Sequence, residues 1–442
     1  DSRFSGFVTA RATAAQLQAL AKLEAVEQIR ASGRAELHND EAAAFVGARA
    51  LNNGLVEGTE YTGKGVVACV IDTGIDYDHP DFVDDSGNSR IISIWDQTFD
   101  TDGQTPYDRH SSLFSQGSFE YGTEYHTSEI ENGGLSTEDT NGHGTHVAGT
   151  VGASGNADSA GKYKGMAPGV NFIIVKAGNG GLPSNNWING LNFCDKIAEQ
   201  KGLPMVANLS LGGHDGPHDG TSARAAAVDQ ILENGSATGR SVAISAGNEG
   251  RFSIHDSKSI PASTSKSVDI EVPSYSPESG TGNDQLSAQL WFKRDLDATA
   301  TVTTPNGVTI TASPGETANT TTANDGAISV QNTVYSGNGD RFVQIRATDP
   351  TESNTPSSGT WTVSLKNNSS SSATVDGWIW PLTIGTGPSL IQFSGGDTQS
   401  TVSIPGTANH AITVGSFMHR WRWYGADESE HYRPTDQNRS GN

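Results

Sequence analysis

The sequence predicts an α/β fold, a mostly parallel sheet covered by helices, with an inserted all-β sandwich or jelly-roll module. Three observations carry that reading. Four near-continuous apolar runs, VVACVID (66–72), NFIIVKAG (171–178), MVANLSLG (205–212) and SVAISAGN (241–248), end in Asp, Gly or Asn. Buried parallel strands with polar carboxyl ends have this form. Helix-like stretches separate them: THVAGTVGAS after 144, WINGLNFCDKIAEQKG from 187 and SARAAAVDQILENG from 222, and such alternation builds a parallel sheet with both faces covered. From about 257 to 400 the pattern changes to eight short period-two segments, among them SVDIEVP, LSAQLWFKR and GTWTVSLKN, separated by Gly, Ser, Asn and Asp. That spacing suits a sandwich of antiparallel strands. NHAITVGSF (409–417) then returns to parallel-strand character.

Taken in order, residues 1–36 read as strand, helix, strand: GFVTA, then Ala14, Leu17, Leu20, Ala21 and Leu23 at helical spacing, then VEQIRAS. This unit is too small to bury a core of its own. Residues 37–60 form a linker passing into a short helix. The expected organisation is therefore 1–36, a first α/β part at 37–256, the β module at 257–400, and a continuation of the α/β part at 401–442. The interval 84–138 reads as a long polar surface insertion.

The 442 residues provide for two or three domains. With 28 basic against 50 acidic side chains the net charge is −22, which argues against nucleic acid or an anionic membrane held by charge. No run of 18 apolar residues occurs, so no membrane-spanning helix is expected. Cys69 and Cys194 are too few for a disulfide framework, and their apolar surroundings predict two buried free thiols.

Three strand or helix ends carry chemistry. Asp72 closes the first apolar run, with Gly74 allowing the chain to turn away. His143 opens a helix of small residues between Gly142 and Gly144. Asn248 stands at the tip of another strand. Ligands of parallel sheets sit beyond the carboxyl ends of the strands, so the three groups are expected to converge. A carboxylate orienting an imidazole, an imidazole acting as base and a carboxamide donating to an oxyanion are parts of acyl transfer by an activated hydroxyl.

The segments GKGVVACVIDTGIDYDHPDF, NGHGTHVAGTVG, YKGMAPGVNFIIVKAG, ANLSLGG and SAGNEG, continuing to IPGTANHAITVGSF, together resemble the subtilisin-family (subtilase) serine proteases. The resemblance covers about 61–256 and 402–417. It implies a subtilisin-like fold, Asp72 and His143 as triad members and Asn248 as oxyanion donor. It implies that Ser210, Leu211 and Gly212 pair with an extended polypeptide substrate, and that residues 1–36 are a prodomain remnant. Secretion follows from the same likeness. No cofactor is required for the chemistry, while structural calcium is allowed at the acidic loops 81–88 and 96–104. Asp76, Asp78, His79 and Asp81 are expected to hydrogen-bond within their turn, and His146 to pack within its helix.

The sequence departs from the family at the nucleophile. The family's GTSxAxP motif is absent, and Gly220-Thr221-Ser222 precedes Asn248 and is followed by ARAAAVDQ. Ser222 reads as a helix cap. The expected nucleophile therefore lies beyond residue 442, on a C-terminal companion fragment. Two rival readings are a pseudoprotease or peptide-binding scaffold without catalysis, and a binding protein acting through the β module.

Overall fold

A computed structural model of the chain describes residues 39–98, 103–158, 161–294, 296–381, 383–386 and 390–417, with short strands at Arg3–Phe4, Phe7–Val8, Arg422–Tyr424 and Glu430–Tyr432. The helix and return strand expected within 1–36 lie outside the described residues. Two compact units emerge. One comprises Ala35–Gly212, Arg224–Ala246 and Ala408–Asn442; the other comprises Asp1–Arg34, Gly213–Ala223 and Gly247–Thr407.

The first unit holds a seven-stranded sheet. Its strands are β1 (Val67–Asp72), β2 (Ile91–Asp96), β3 (Thr123–His126), β4 (Asn171–Lys176), β5 (Met205–Leu209), β6 (Arg240–Ser245) and β7 (Ile412–Val414). Their spatial order is β7-β6-β5-β1-β4-β2-β3, parallel throughout except for the antiparallel β2–β3 pair at the edge. The longest helices beside it are α1 (His143–Gly152), α2 (Ser184–Gln200) and α3 (Ala223–Ile231).

Strand β1 lies centrally between β4 and β5 and is buried at every residue. Successive side chains of a strand point to opposite faces, so β1 feeds two cores. Val67, Cys69 and Ile71 pack with Trp187, Leu191, Cys194 and Ile197 of α2. Ala68 and Val70 pack with Val147 and Ala148 of α1, together with Phe82 and Phe172. This double burial is why the run is apolar without alternation. Among the described residues no helix is long and apolar enough to cross a membrane.

Two expectations need correction. The interval 84–138 is not simply a polar insertion, because it contributes β2 and β3. IISIWD is largely buried, with Trp95 fully enclosed, a six-residue apolar segment set inside a long polar stretch. TEYH has one large apolar side chain and no periodic signature; it is a strand because it pairs with β2. The cysteines are not free thiols. Cys69 and Cys194 form a disulfide with Cα atoms 6.1 Å apart, joining β1 to α2 across 125 residues. Apolar context predicted their burial correctly, but context along the chain does not reveal that two buried side chains face one another across the same layer.

The second unit is all-β in its sheets. A five-stranded antiparallel sheet runs Thr309–Ala312, Ala298–Thr303, Gly359–Asn367, Ser265–Val272, Gln392–Phe393. A six-stranded one runs Thr317–Thr321, Ala327–Val334, Arg341–Thr348, Gln285–Phe292, Ala373–Ile379, His255–Ile260. Ile270, Val302, Trp361 and Val363 of the first share one core with Leu290, Val330, Ile345 and Val375 of the second. Three strands were not anticipated. Thr317–Thr321, for example, reads TANTT and buries nothing fully, so it has no apolar stripe to detect.

Digestion of unreduced protein is expected to release a Cys69–Cys194 cross-linked peptide pair in mass spectrometry. Replacing both cysteines by alanine is expected to lower the unfolding free energy by on the order of 4 kcal/mol, the scale for a closed loop above 100 residues. Two titratable thiols per unreduced, unfolded chain would contradict the cross-link.

Candidate active site

The site begins where β1 ends. Asp72 is buried, and the chain turns away at Gly74, whose φ of 120° favours glycine. The start of α1 packs directly on this turn. A Cβ added at Gly144 would collide with the Gly74 carbonyl oxygen and lie 2.9 Å from the Gly74 nitrogen and 3.1 Å from that of Thr73. This approach brings His143 Nδ1 within 2.6 Å of Asp72 Oδ1. The same oxygen accepts the Thr73 backbone N–H at 2.8 Å. Because the carboxylate accepts, Nδ1 donates, which leaves Nε2 as the imidazole's acceptor nitrogen. The His143 side chain is 49% exposed while that of Asp72 is 1% exposed. A sealed carboxylate therefore orients a base that solvent or a ligand can reach.

Asp139 fastens the turn to the helix. Its carboxylate accepts from Thr73 Oγ1 (2.8 Å), Gly142 N (2.9 Å), Thr145 N (2.8 Å) and Thr145 Oγ1 (2.6 Å). Thr73 Oγ1 in turn accepts from Gly144 N at 2.9 Å, and Thr145 Oγ1 from Asp76 N at 2.9 Å. The N-cap residue Gly142 has no side chain to satisfy the first N–H groups of α1, so Asp139 supplies the anion that a helix start favours. Burial pushes the Asp139 carboxyl up, but these hydrogen bonds outweigh it and hold it below the ordinary carboxylate range. The approach to Asp139 is anchored as well. Thr137 Oγ1 donates to Asp96 Oδ2 at 2.6 Å, and Lys176, at the end of β4, donates to the Glu138 carbonyl. At the far end of α1 the buried Arg90 guanidinium donates to the carbonyls of Gly152 (2.6 Å), Pro168 (2.9 Å) and Val170 (3.0 Å).

Ser210, Leu211 and Gly212 follow β5 in the same unit. Ser210 Oγ donates to Asn208 Oδ1 at 3.0 Å, and the Leu211 carbonyl accepts from Ser245 Oγ of β6 at 3.2 Å. Asn248 falls in the other compact unit. It is exposed, and its backbone N–H donates to Glu249 Oε2 at 2.7 Å, with His214 Nε2 3.3 Å from the same oxygen. Thus the structure joins Asp72 to His143, sets Ser210–Gly212 in their unit, and describes Asn248 within the all-β unit.

The acidic turn after Asp72 bonds within itself only in part, and both Asp76 and Asp81 reach outside it. His79 Nδ1 accepts from Asp81 N at 3.2 Å, and Asp81 Oδ1 accepts from Ala157 N at 2.9 Å. In the loop 81–88, Asp84 Oδ1 accepts from the N–H groups of Ser86 and Asn88, and its other oxygen takes Asn88 Nδ2. Ser222 is buried immediately before α3. His146 departs from expectation: it is exposed at the rim of a cavity of about 440 Å³ lined also by His79, Asp139 and Tyr163, because α1 turns its Val147–Ala148 face to the core instead.

The sequence reading missed Asp139, Thr73 and Thr145. A signal existed for the first, since an acidic residue just ahead of a helix start is a capping pattern. Glu249 and His214 carried no comparable signal, because their contact spans 35 residues of chain.

Comparison with known proteins now decides the family. The family model for the subtilase family, peptidase family S8, matches residues 63–337, more than half of the chain. The chain belongs to the subtilase family. This subtilase is 32% identical over 203 residues to serine protease AprX of Bacillus subtilis (strain 168), covering 44% of this chain and 35% of that protein. It is also 32% identical over 191 residues to the major intracellular serine protease of the same strain, covering 42% and 44%. The matches thus span less than half the length of these relatives. Among solved structures, the Clostridium perfringens CspB protease aligns over 86% of this chain and 73% of that one, with TM-score 0.66 and 23% sequence identity. That likeness is one of fold.

A carboxyl held below its unfolded value adds stability above the unfolded pKa and loses it as pH falls through the folded one. The melting-temperature difference between wild type and Asp139→Asn is therefore expected to be constant above about pH 6 and to shrink below about pH 4, where free carboxylates protonate. A difference that does not change with pH would show that the charged carboxylate is not what fastens α1.

Proposed function

We propose that this protein is a serine endopeptidase hydrolysing peptide bonds of extended polypeptides through an acyl-enzyme. The observation that carries the reading is the 2.6 Å contact between Asp72 Oδ1 and His143 Nδ1 at the mouth of a parallel sheet. In this reading His143 Nε2 takes the proton of a seryl hydroxyl as its oxygen attacks the scissile carbonyl carbon. The same proton passes to the leaving amine as the peptide C–N bond breaks, and water repeats the sequence to release the acid. Asp72 holds the imidazole in the required tautomer and stabilises its cation. Asn248 donates its carboxamide N–H to the oxyanion, a role whose loss typically costs about 2.7–4 kcal/mol. Ser210, Leu211 and Gly212 offer the backbone edge along which the substrate lies.

This reading leaves the nucleophile to a serine other than Ser222. GTSxAxP does not occur in residues 1–442, and Ser222 is buried ahead of α3. The same reading makes residues 1–36 a prodomain remnant and 257–400 an inserted sandwich or jelly-roll module. It places the protein outside the cell, and the Cys69–Cys194 disulfide supports this because such bonds persist in oxidising compartments.

The full-length protein is expected to react with a fluorophosphonate probe at a single serine. Asp72→Asn should slow labelling and peptide cleavage by about 10³–10⁴-fold while leaving the far-UV spectrum and melting temperature near wild type. Failure of the folded protein to label would favour a peptide-binding groove without catalysis. Undiminished activity in Asp72→Asn would overturn the assignment of Asp72.

A further inference from the structure

A second group of buried polar side chains lies at the edge of the α/β sheet, in the stretch between Asp72 and His143. We propose that His110, Glu124 and His126 bind a divalent transition-metal ion of the zinc class. Glu124 and His126 are two residues apart on β3 and so share one face. His110 closes the short helix Pro106–Arg109 and points its Nε2 at the same carboxylate. One donor atom from each residue lies within 4.8 Å of the other two.

The spacing of the three groups suits coordination of a single ion. His110 Nε2 and His126 Nε2 lie 3.1 and 3.0 Å from Glu124 Oε1. Two ligands about 2.0–2.1 Å from zinc at a tetrahedral angle are roughly 3.3 Å apart, so the observed spacing is close to one edge of such a tetrahedron. Glu124 is fully buried, and its Oε2 has no hydrogen-bond partner. A buried carboxylate oxygen left unpaired is costly, and binding the ion through both carboxylate oxygens would satisfy it. The neighbouring Arg109 guanidinium is engaged by Glu129 at 2.7 Å.

The donor set selects the metal class. Two imidazoles with one carboxylate suit zinc and its neighbours, whereas calcium and magnesium take oxygen ligands. Ser93 Oγ donates to Glu124 Oε1 at 2.7 Å, the kind of outer contact that orients a ligating carboxylate. The His126 side chain is 39% exposed, which provides an entry path and a solvent-facing fourth position for water. The ion would clamp the turn at 106–110 to a four-residue edge strand, both too short to hold themselves. This inference does not depend on the peptidase reading.

The test uses intact protein stripped with chelator and titrated with zinc chloride, with bound metal measured by mass spectrometry after dialysis. One zinc per chain is expected, accompanied by a rise in melting temperature. His126→Ala, at a partly exposed position, and His110→Ala should each weaken binding at least about 100-fold, whereas His143→Ala should retain the ion. Cobalt substituted into the wild type should give the intense visible absorption of a four-coordinate site, a readout independent of any variant. Absence of stoichiometric zinc, a six-coordinate cobalt spectrum, or binding abolished by His143→Ala but not by the other two would overturn the proposal.

Discussion

The close contact between the first turn of α1 and the end of β1 is the constraint on which the rest depends. Gly144 must lie against the backbone of Thr73 and Gly74, because only that approach lets an imidazole on a helix meet a carboxylate on a strand. A methyl group at Gly144 would separate them. The approach is maintained from several sides. Asp139 binds both partners, Lys176 and Asp96 hold the chain that leads into it, and Arg90 collects the carbonyls at the other end of the helix. Each of these is a charged group placed where it satisfies backbone or hydroxyl donors and acceptors, as burial requires.

The architecture encloses the acid and leaves the base open. Strand β1 is buried on both faces and cross-linked to α2 through Cys69, so Asp72 is presented from a strand enclosed on both sides. The His143 imidazole, by contrast, stands half exposed. A fixed acid beside an accessible base is what proton transfer to and from a bound reactant needs. The edge of the same sheet is built differently. Strand β3 has little apolar content, and His110, Glu124 and His126 fill its face with a polar cluster instead.

Much of this was legible in the sequence. The central strands announced themselves as apolar runs ending in polar residues, and Asp72 and His143 stood at the ends of such elements. Their pairing follows from parallel topology, which places strand ends and helix starts at one edge of the sheet. What was not legible depends on contacts far apart in the chain. The Cys69–Cys194 link requires knowing which face of α2 meets which face of β1. Strand β3 owes its existence to pairing with β2, not to its own composition, and Thr317–Thr321 likewise. Asp139 is the intermediate case: its position before the helix is a readable capping signal, whereas its bond to Thr73, 66 residues away, is not.

The central claim is that the Asp72 carboxylate fixes the His143 imidazole with its proton on Nδ1 and Nε2 free to accept. Nitrogen-15 NMR of histidine-labelled protein above the imidazole's titration reads this directly. The account predicts the Nδ1–H tautomer for His143 in the wild type, reverting toward the Nε2–H form in Asp72→Ala. A wild-type His143 already in the Nε2–H form, or one unaffected by removing Asp72, would contradict it.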